Sequence, residues 1–460
     1  MKAAFALVTI LFVLMYTGAE GTLQGPKNDG RVHLRWATDS NPARDVQIAE
    51  FGKLYPGVTA AVDPSAGGDI SKVLIQCATG VGPDVIDLYG DSMQTMADAG
   101  VLLDLTPYAS KMGFDPSHTY PSARGALVYR GKQYRFPCNV SVNCIIYNKQ
   151  IFDDHNVPYP TPNWTEQDFI RTAKLLLNNP SKSGHHHLAY APPGGMTFYE
   201  DELIGRGGRV FTPDGLRCVL NSPQSNSALQ DYYDLMFVYK VIPTPADTAS
   251  ISSQGGWGTG AINWFSSGDA AMLPIGRWYI CQLYNYPKLE GHLGSVLLPS
   301  VGGLPSAGVV SSRAAGINVN SKNRAAALKF LQYLASPQYS NVIVTDGDAL
   351  PPDPMLAKSG PALVDSAEND PAFQQPFVDA IKTARPIDES PYIDADVVTQ
   401  WMGDYVAKVE NRLMTPKEAL AVLTAQVNQQ IRRNLERRQD LQKLYEQQTG
   451  KPYSSNWWKS

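Results

Sequence analysis

The sequence contains few cysteines for its length. There are five in 460 residues, and they are widely spaced along the chain, at Cys77, Cys138, Cys144, Cys218 and Cys281. So few cysteines exclude a disulfide scaffold, and their spacing favours buried apolar thiols. Because their number is odd, at least one of them has no partner within a monomer.

Long apolar runs are also missing after the first residues. The run at 3–16 follows a single charge, Lys2, and precedes small residues at 17–19. It is shorter than the roughly 20 residues that a membrane-spanning helix needs. This pattern predicts a cleaved export signal at residues 1–21 and a periplasmic or extracellular protein. If the signal is not cleaved, the alternative is a membrane tether.

The sequence lacks the marks of nucleic-acid binding, of metal binding and of the common enzyme classes. The net charge is -4, and there is no P-loop, dinucleotide fingerprint or Gly-x-Ser-x-Gly motif. The adjacent carboxylates Asp153 and Asp154, like Glu200 and Asp201, point apart. The histidines at 185–187 cannot all face one ion without an irregular turn. We therefore expect no metal, no cofactor, no nucleic-acid partner and no catalysis.

An alternation of strands and helices is what the sequence does contain. Apolar strands are predicted at 31–36, 58–62 and 84–88, with helices between them, the first of which is capped by Asn41. Short loops in this order are typical of a largely parallel α/β sheet covered on both faces. The length suggests two such domains.

Polar side chains follow two of these strands. Asp39 and Ser40 come after the first strand, and Tyr89 and Asp91 come after the third. The carboxyl ends of parallel strands form the binding edge of such a sheet. Carboxylates and hydroxyls there suit a hydroxyl-rich ligand, because each fixes the direction of a hydrogen bond. The alternative for Asp39 is a structural role at the start of the following helix, as we expect for Asn41.

Several loosely spaced segments then follow in one order. They are Trp-Ala-Thr-Asp at 36–39, Gly-Pro-Asp-Val-Ile at 82–86, the stretch from Phe-Pro to Tyr-Asn-Lys at 136–149, and Phe-x-x-Gly-x-Ala-Ala-Met with Gly-Arg-Trp at 265–278. Together they resemble the family of extracellular solute-binding proteins that includes the maltose-binding protein. Each motif is weak alone, but their order extends over nearly the whole chain after the signal.

The resemblance implies an α/β, two-lobed periplasmic-binding-protein fold of type II. Each lobe is then expected to be a mostly parallel sheet flanked by helices, and the chain to cross between the lobes three times, near 137–141, 299–307 and 349–353. The expected divisions are 22–139 and 305–350 for lobe 1, 140–304 and 351–436 for lobe 2, and 437–460 for a C-terminal helical extension.

Two tryptophans are expected to contact the ligand. Trp278 matches the position where the maltose-binding protein stacks a sugar, and Gly276 beside it allows close approach of the backbone. The alternative is that Trp278 packs in the core. Trp257 lies in a glycine-rich loop that is too flexible for a core segment. Flat aromatic faces suit the apolar faces of sugar rings.

Further candidates are expected on the second lobe. The resemblance places Ser141 at the first crossing, Tyr199 in a loop that presents an aromatic to the ligand, and Tyr392 in a loop that closes the cleft. Arg277 and Arg385 support an alternative, an anionic ligand, because guanidinium groups bind phosphate or carboxylate with paired donors.

These features predict a receptor of an ABC importer that captures a sugar or oligosaccharide by hinge closure and delivers it to a membrane permease. We expect a monomer whose partners are the solute and the permease subunits. The alternatives are a binding protein for an anionic or polyol ligand such as a glycerol-phosphate ester, or a glycan-capture or sensory protein without a transport role.

Overall fold

The computed structural model describes residues 29–63, 70–89, 92–184, 188–191, 194–249, 259–283, 285–364 and 369–459. The predicted signal at 1–21 and the histidines at 185–187 lie outside these residues. Within the described ranges, no helix is both long enough and apolar enough to cross a membrane. The same ranges contain no cluster of three potential metal ligands.

Strands and helices alternate along much of the chain. The strands are β1 (Val32–Ala37), β2 (Val58–Val62), β3 (Val85–Leu88), β4 (Val128–Tyr129), β5 (Lys132–Gln133), β6 (Phe136–Pro137), β7 (Ser141–Asn148), β8 (Met272–Gly276), β9 (Leu293–Val296), β10 (Val310–Ser311) and β11 (Ala314–Ile317). The α-helices are α1 (Pro42–Leu54), α2 (Ile70–Ala78), α3 (Ser92–Asp98), α4 (Thr106–Met112), α5 (Lys149–Asp154), α6 (Glu166–Asn178), α7 (Gly195–Gly205), α8 (Pro223–Phe237), α9 (Pro245–Ala249), α10 (Thr259–Ser267), α11 (Ile280–Leu283), α12 (Arg324–Leu334), α13 (Pro337–Asp346), α14 (Pro371–Thr383), α15 (Ala395–Glu410), α16 (Pro416–Arg437) and α17 (Gln439–Thr449).

The first sheet has the order β2-β1-β3-β11-β6 and forms the core of the first lobe. β1 is parallel to β2 and β3, as predicted, while β11 is antiparallel to β3 and β6. Alternate residues face opposite sides of a strand. Trp36 and Val85 therefore pack with Phe51 and Phe330 on one face, and Ile86 packs on the other. Both faces of the sheet are covered.

The second sheet is built around β7, which pairs antiparallel with β8, β9 and β10. Ser141 lies opposite Ser311, and Asn143 lies opposite Gly276. The described strands of the second lobe therefore form antiparallel pairs, and the expectation of a mostly parallel sheet in this lobe is wrong. β7 runs away from the connection between the lobes while β8 and β9 run back toward it, so neighbouring strands point in opposite directions.

Helix starts follow the local sequence signals. The Asn41 side chain accepts a hydrogen bond from the Ala43 backbone N–H at 3.0 Å, with Pro42 in the first turn of α1. At the start of α6, Thr165 and Asp168 form a reciprocal capping box. Such caps satisfy backbone donors that have no partner within the helix. The structure confirms the cap predicted at Asn41.

Three connections join the two sheets. Val140 and Leu350 exchange two backbone hydrogen bonds of 2.9 Å, which ties the first connection to the third. The second connection lies at 312–313, between β10 of the second sheet and β11 of the first, and not at 299–307 as predicted. β10 is only 2 residues long, so no local pattern reveals it.

The end of the chain packs on the second lobe. Leu441 and Tyr445 of α17 and Trp457 beyond it are buried in the same apolar cluster as Leu423 and Val427 of α16. The Tyr445 and Trp457 rings lie 5.8 Å apart between their centroids. The segment 437–460, called the C-terminal extension below, is thus part of the second lobe.

All five cysteines are present as free thiols, and four of them are buried. Burial raises the pKa of the Cys77 thiol to about 11 and raises the pKa of Cys138 and Cys144 well above the ordinary value. Thiols with raised pKa values are poor nucleophiles at neutral pH. Their burial agrees with the expectation of apolar core cysteines.

Candidate functional site

A cleft separates the two lobes beside the connections. One cavity of about 300 Å³, called the inner cavity below, lies between Tyr89 and Arg135 of the first lobe and the loop at 386–390 of the second. Ser312, at the second connection, also lines it. Its volume lies near the lower limit of small-molecule sites, which occur most often between domains.

The first lobe contributes the ends of β1 and β3 to this cleft. Asp39 follows β1, Tyr89 follows β3, and the Tyr89 hydroxyl lies 3.5 Å from an Asp39 carboxylate oxygen. Ser40 is exposed, and the large residue Tyr89 is 45% exposed. The structure therefore brings Asp39, Ser40 and Tyr89 together at one edge of the sheet, where parallel strands end.

Asp39 is held by a buried network of ion pairs. Arg44 donates to Asp39 at 3.1 Å and to Asp348 at 2.7 Å. Arg313 in turn pairs with Asp87 at 2.8 Å and approaches Asp348 at 3.5 Å. Burial alone would raise the pKa of Asp348, but the two guanidinium groups outweigh burial and lower that pKa to about 2.

The network also fixes the first connection between the lobes. The side-chain amide nitrogen of Asn139 donates to the second oxygen of Asp348 at 3.1 Å. The side-chain amide oxygen of Asn139 accepts from the Arg313 backbone N–H at 3.3 Å. Since Arg313 and Asp348 belong to the other two connections, all three are tied to the floor of the first lobe.

The second lobe contributes Ser141 and Trp278 at the ends of β7 and β8. A Cβ atom placed on Gly276 would lie 2.2 Å from the Ser141 hydroxyl oxygen and 2.6 Å from Trp278 Cδ1. Real side chains do not approach so closely, so only glycine lets Ser141 and the indole meet there. Trp278 is half-buried against the core of the second lobe.

The segments that carry these residues approach each other across the cleft. The Asn41 side chain, which follows Asp39 and Ser40, hydrogen-bonds with the Cys281 thiol of α11. That thiol also donates to the Trp278 carbonyl oxygen at 2.9 Å. The loop after β1 therefore faces the segment after β8.

Arg277 does not lie in the cleft. Its side chain is only 1% exposed and donates to Gln374 at 2.8 Å and to the backbone oxygens of Ala349 at 2.7 Å and Leu363 at 2.6 Å. A guanidinium held this way ties β8 to the third connection and α14. The predicted ligand role of Arg277 is not supported by this placement, because its donors point into the protein.

Tyr199 and Tyr392 are also buried in the second lobe. The Tyr199 ring is 0% exposed, and its hydroxyl lies 2.5 Å from the Ser225 hydroxyl. Tyr392 is 1% exposed and donates to Gln448 at 2.6 Å. Both rings fill the core, so we leave them out of the site. Asp91 and Trp257 lie outside the described residues.

The inner cavity includes side chains that the sequence did not single out as ligand contacts. Glu200, Phe211 and Met402 line its second-lobe wall, and Arg135 lines the first-lobe wall. Arg135 donates to the backbone oxygens of Ala126 and Leu88, at 2.7 and 3.2 Å. Phe211 and Met402 have the sequence pattern of core residues. Among these cavity residues, only Glu200 had a sequence signal, because it directly follows the predicted ligand contact Tyr199.

Two lobes of α/β structure, three connections and a cleft between the lobes define a bilobed ligand-binding protein. The chain belongs to the bacterial extracellular solute-binding protein family, whose model matches residues 37–340. This confirms the family predicted from the sequence.

Solved structures share the fold. An ABC substrate-binding protein from Listeria monocytogenes in complex with cycloalternan superposes with a TM-score of 0.72, at 24% identity, over 87% of this chain and 98% of that one. A maltose-bound protein from T. maritima superposes with a TM-score of 0.71, at 19% identity, over 86% of this chain and 98% of that one. The type II fold is thereby confirmed.

Curated relatives match over part of their length. The diacetylchitobiose binding protein of Streptomyces coelicolor is 23% identical over 273 residues, which is 58% of this chain and 60% of that protein. An arabinooligosaccharide-binding protein of Halalkalibacterium halodurans is 23% identical over 183 residues, 39% of this chain and 38% of that protein. The chain thus spans between about two fifths and three fifths of the length of these relatives.

Proposed function

We propose that this protein is the solute-binding receptor of an ABC importer, exported to the periplasm or the cell exterior, and that it captures a carbohydrate between its lobes. The observation that carries the proposal is the inner cavity between the lobes, beside which the loop with Asp39 approaches the segment with Trp278. A half-buried indole offers a flat face to a sugar ring, while carboxylate and hydroxyl groups accept and donate around the rim of the ring.

The named relatives support the carbohydrate class. Their names specify diacetylchitobiose and arabino-oligosaccharides, and the superposed structures hold cycloalternan and maltose. All of these are neutral, hydroxyl-rich rings. The cleft chemistry of this chain fits the same class.

Capture works through the hinge. Contacts to Asp39 and Tyr89 come from the first lobe, and contacts to Ser141 and Trp278 come from the second. A ligand reaches both sets together only when the lobes are closed, so binding shifts the population toward the closed form. The closed receptor then presents the solute to the permease. The protein is proposed to act as a monomer and to perform no chemistry on the solute.

The anionic alternative has little support in the cleft. Arg277 is buried with backbone and side-chain partners. Arg385 donates to the Gly208 backbone oxygen and lies 3.6 Å from Asp388. A phosphate would have to replace these partners, at the cost of leaving buried carbonyl groups without donors.

A thermal-shift screen tests the proposal. The purified protein is heated with diacetylchitobiose, maltose, maltotriose, arabino-oligosaccharides, cycloalternan or glycerol 3-phosphate. A sugar present at about 100 times its Kd stabilises the folded form by about 2.7 kcal/mol and raises Tm by about 3 °C. Stabilisation by glycerol 3-phosphate alone would overturn the carbohydrate proposal in favour of an anionic ligand.

Variants show whether the binding occurs in the cleft. Trp278→Ala should weaken binding of the stabilising sugar by about tenfold or more, because the stacking surface is lost. The matched control is Trp458→Ala, since Trp458 is 36% exposed and stacks on Arg432 at the far end of the chain. Equal affinity of both variants and the wild type would place the sugar elsewhere.

A further inference from the structure

The C-terminal extension forms part of a second cavity in the cleft. This cavity of about 450 Å³, called the outer cavity below, is lined on the first lobe by Tyr129 and Gln94 and on the second lobe by Arg209. Leu444 and Gln448 of α17 complete its wall. The extension thus contributes directly to the opening between the lobes.

The outer cavity adjoins the inner one. Both are lined by Ala126 of the first lobe and by the loop at 386–390 of the second. The two cavities are therefore close enough to hold neighbouring units of one ligand.

The walls of the outer cavity are electrically balanced. Arg209 donates to Asp388 at 2.8 Å, and Arg130 lies 3.3 Å from Asp98. Both arginines line the cavity, and each already has a carboxylate partner. A neutral ligand with hydroxyl groups fits these walls without displacing an ion pair.

One buried acceptor at this cavity lacks a donor. The Gln94 amide nitrogen lies near Tyr129 Oη at 3.3 Å, the Ser390 carbonyl at 3.2 Å and the Ile393 carbonyl at 3.1 Å. These acceptors fix the orientation of the amide. The side chain is 3% exposed, and within the described part of the chain its Oε1 has no hydrogen-bond partner. A buried acceptor without a donor is costly, but this oxygen is closed off from solvent, so the Gln94 amide is a fixed part of the cavity wall.

We propose that the outer cavity is a second carbohydrate subsite, and that Leu444 and Gln448 of the C-terminal extension set how long an oligosaccharide the receptor accepts. The inference rests on the proposed function and deepens it. One unit of the ligand lies in the inner cavity, and the next lies in the outer cavity against α17. Leu444 packs against the apolar face of that second unit.

The α17 helix is firmly enough held to act as such a wall. Leu441 and Tyr445 are buried on the side of α17 that faces the second lobe. Tyr392 holds Gln448 through the hydrogen bond described above. The wall therefore keeps its position when a ligand arrives, and little ordering entropy opposes binding.

The test is a chain-length series measured by calorimetry. The probes are glucose, maltose and maltotriose, with the corresponding monomers and oligomers of arabinose and of N-acetylglucosamine, and the wild type should bind a longer member of one series at least tenfold more tightly than its monosaccharide, the shortest member. Leu444→Trp fills the outer cavity and should abolish that gain while leaving the affinity for the shortest member unchanged. The matched control is Gln447→Trp, because Gln447 is exposed on the same helix and lines neither cavity.

A second variant covers the case in which Leu444→Trp does not fold. Gln448 is exposed at the cavity, so Gln448→Trp fills the same space, at the cost of the hydrogen bond that Gln448 accepts from Tyr392, and it should remove the same gain. If the wild type shows no gain with length, or if both tryptophan variants keep it, the subsite is overturned while sugar binding stands. If no sugar of any length binds, the proposed function fails together with the subsite.

Discussion

Asp348 lies between two buried arginines of the first lobe, Arg44 and Arg313. It is 3% exposed and accepts from Arg44 while Arg313 lies close by. Replacing it by alanine leaves two buried guanidinium groups without their shared partner. We expect Asp348→Ala to lower the free energy of unfolding by about 3–5 kcal/mol, measured by urea denaturation at pH 7.

The control is Asp379→Ala, which removes an exposed pair with Lys382 and should cost less than about 1 kcal/mol.

A second measurement follows the pH dependence of the free energy of unfolding. Because the folded pKa of Asp348 lies near 2, below its ordinary 3.8, its stabilisation is complete above about pH 4 and is lost as the pH falls toward 2. The wild type should lose stability in this window more steeply than the variant. Parallel curves would contradict the assignment.

Residue types alone predicted only part of the site. Asp39, Tyr89 and Trp278 lie where the sequence predicts, after strand ends, and of these three Tyr89 lines the inner cavity. Arg277 stands directly before Trp278, yet its side chain turns into the core. Which of two neighbouring loop residues faces the ligand depends on tertiary packing, and no local pattern encodes that choice.

At the scale of elements, α17 and the β4–β5 hairpin meet across the cleft. Arg438 lies 3.8 Å from Asp98, and Arg130 lies 3.8 Å from Asp440, so two ion pairs link the extension to the first lobe. Both pairs are partly exposed, and each contributes on the order of 0.2–1 kcal/mol. Since they join the lobes, they stabilise the closed form.

We therefore expect Arg438→Gln to weaken binding of the sugar identified in the thermal-shift screen by about 2–5-fold at low salt. The difference from the wild type should disappear in about 1 M salt, because the Debye length there is only about 3 Å. Calorimetric titration at both ionic strengths measures it. Lys53→Gln is the control, because Lys53 pairs with Glu50 within one helix of the first lobe. An equal effect of both variants would exclude a role across the lobes.

The elements themselves were largely predictable. The alternation up to residue 88 and the caps at Asn41 and Thr165 follow from periodicity and capping chemistry, which act over a few residues. The antiparallel pairing of β7 with β8 joins segments that lie far apart in sequence. Such pairing depends on the path of the chain between them, and so it was predicted wrongly as parallel.

At the scale of the whole molecule, two lobes that are joined by three connections should move as rigid bodies. The Val140 and Leu350 backbones tie two of these connections together, and the Asp348 network anchors them to the first lobe. Arg313 anchors the connection at 312–313 to the same floor through Asp87 and Asn139. Ser312 of this connection also lines the inner cavity.

Closure can be followed by dyes on exposed side chains of the two lobes. Ile75 is 63% exposed on the first lobe and Leu413 is 73% exposed on the second. With both replaced by cysteine and labelled, energy transfer should change when the sugar from the thermal-shift screen saturates the protein, and the radius of gyration from solution scattering should fall. Buried native thiols with raised pKa values react slowly and allow selective labelling.

The control pair, Leu413 and Val238, lies within the second lobe and should show constant energy transfer. If both pairs stay constant while the sugar is bound, binding does not proceed through closure of the lobes, and the coupling of capture to transport must have another origin.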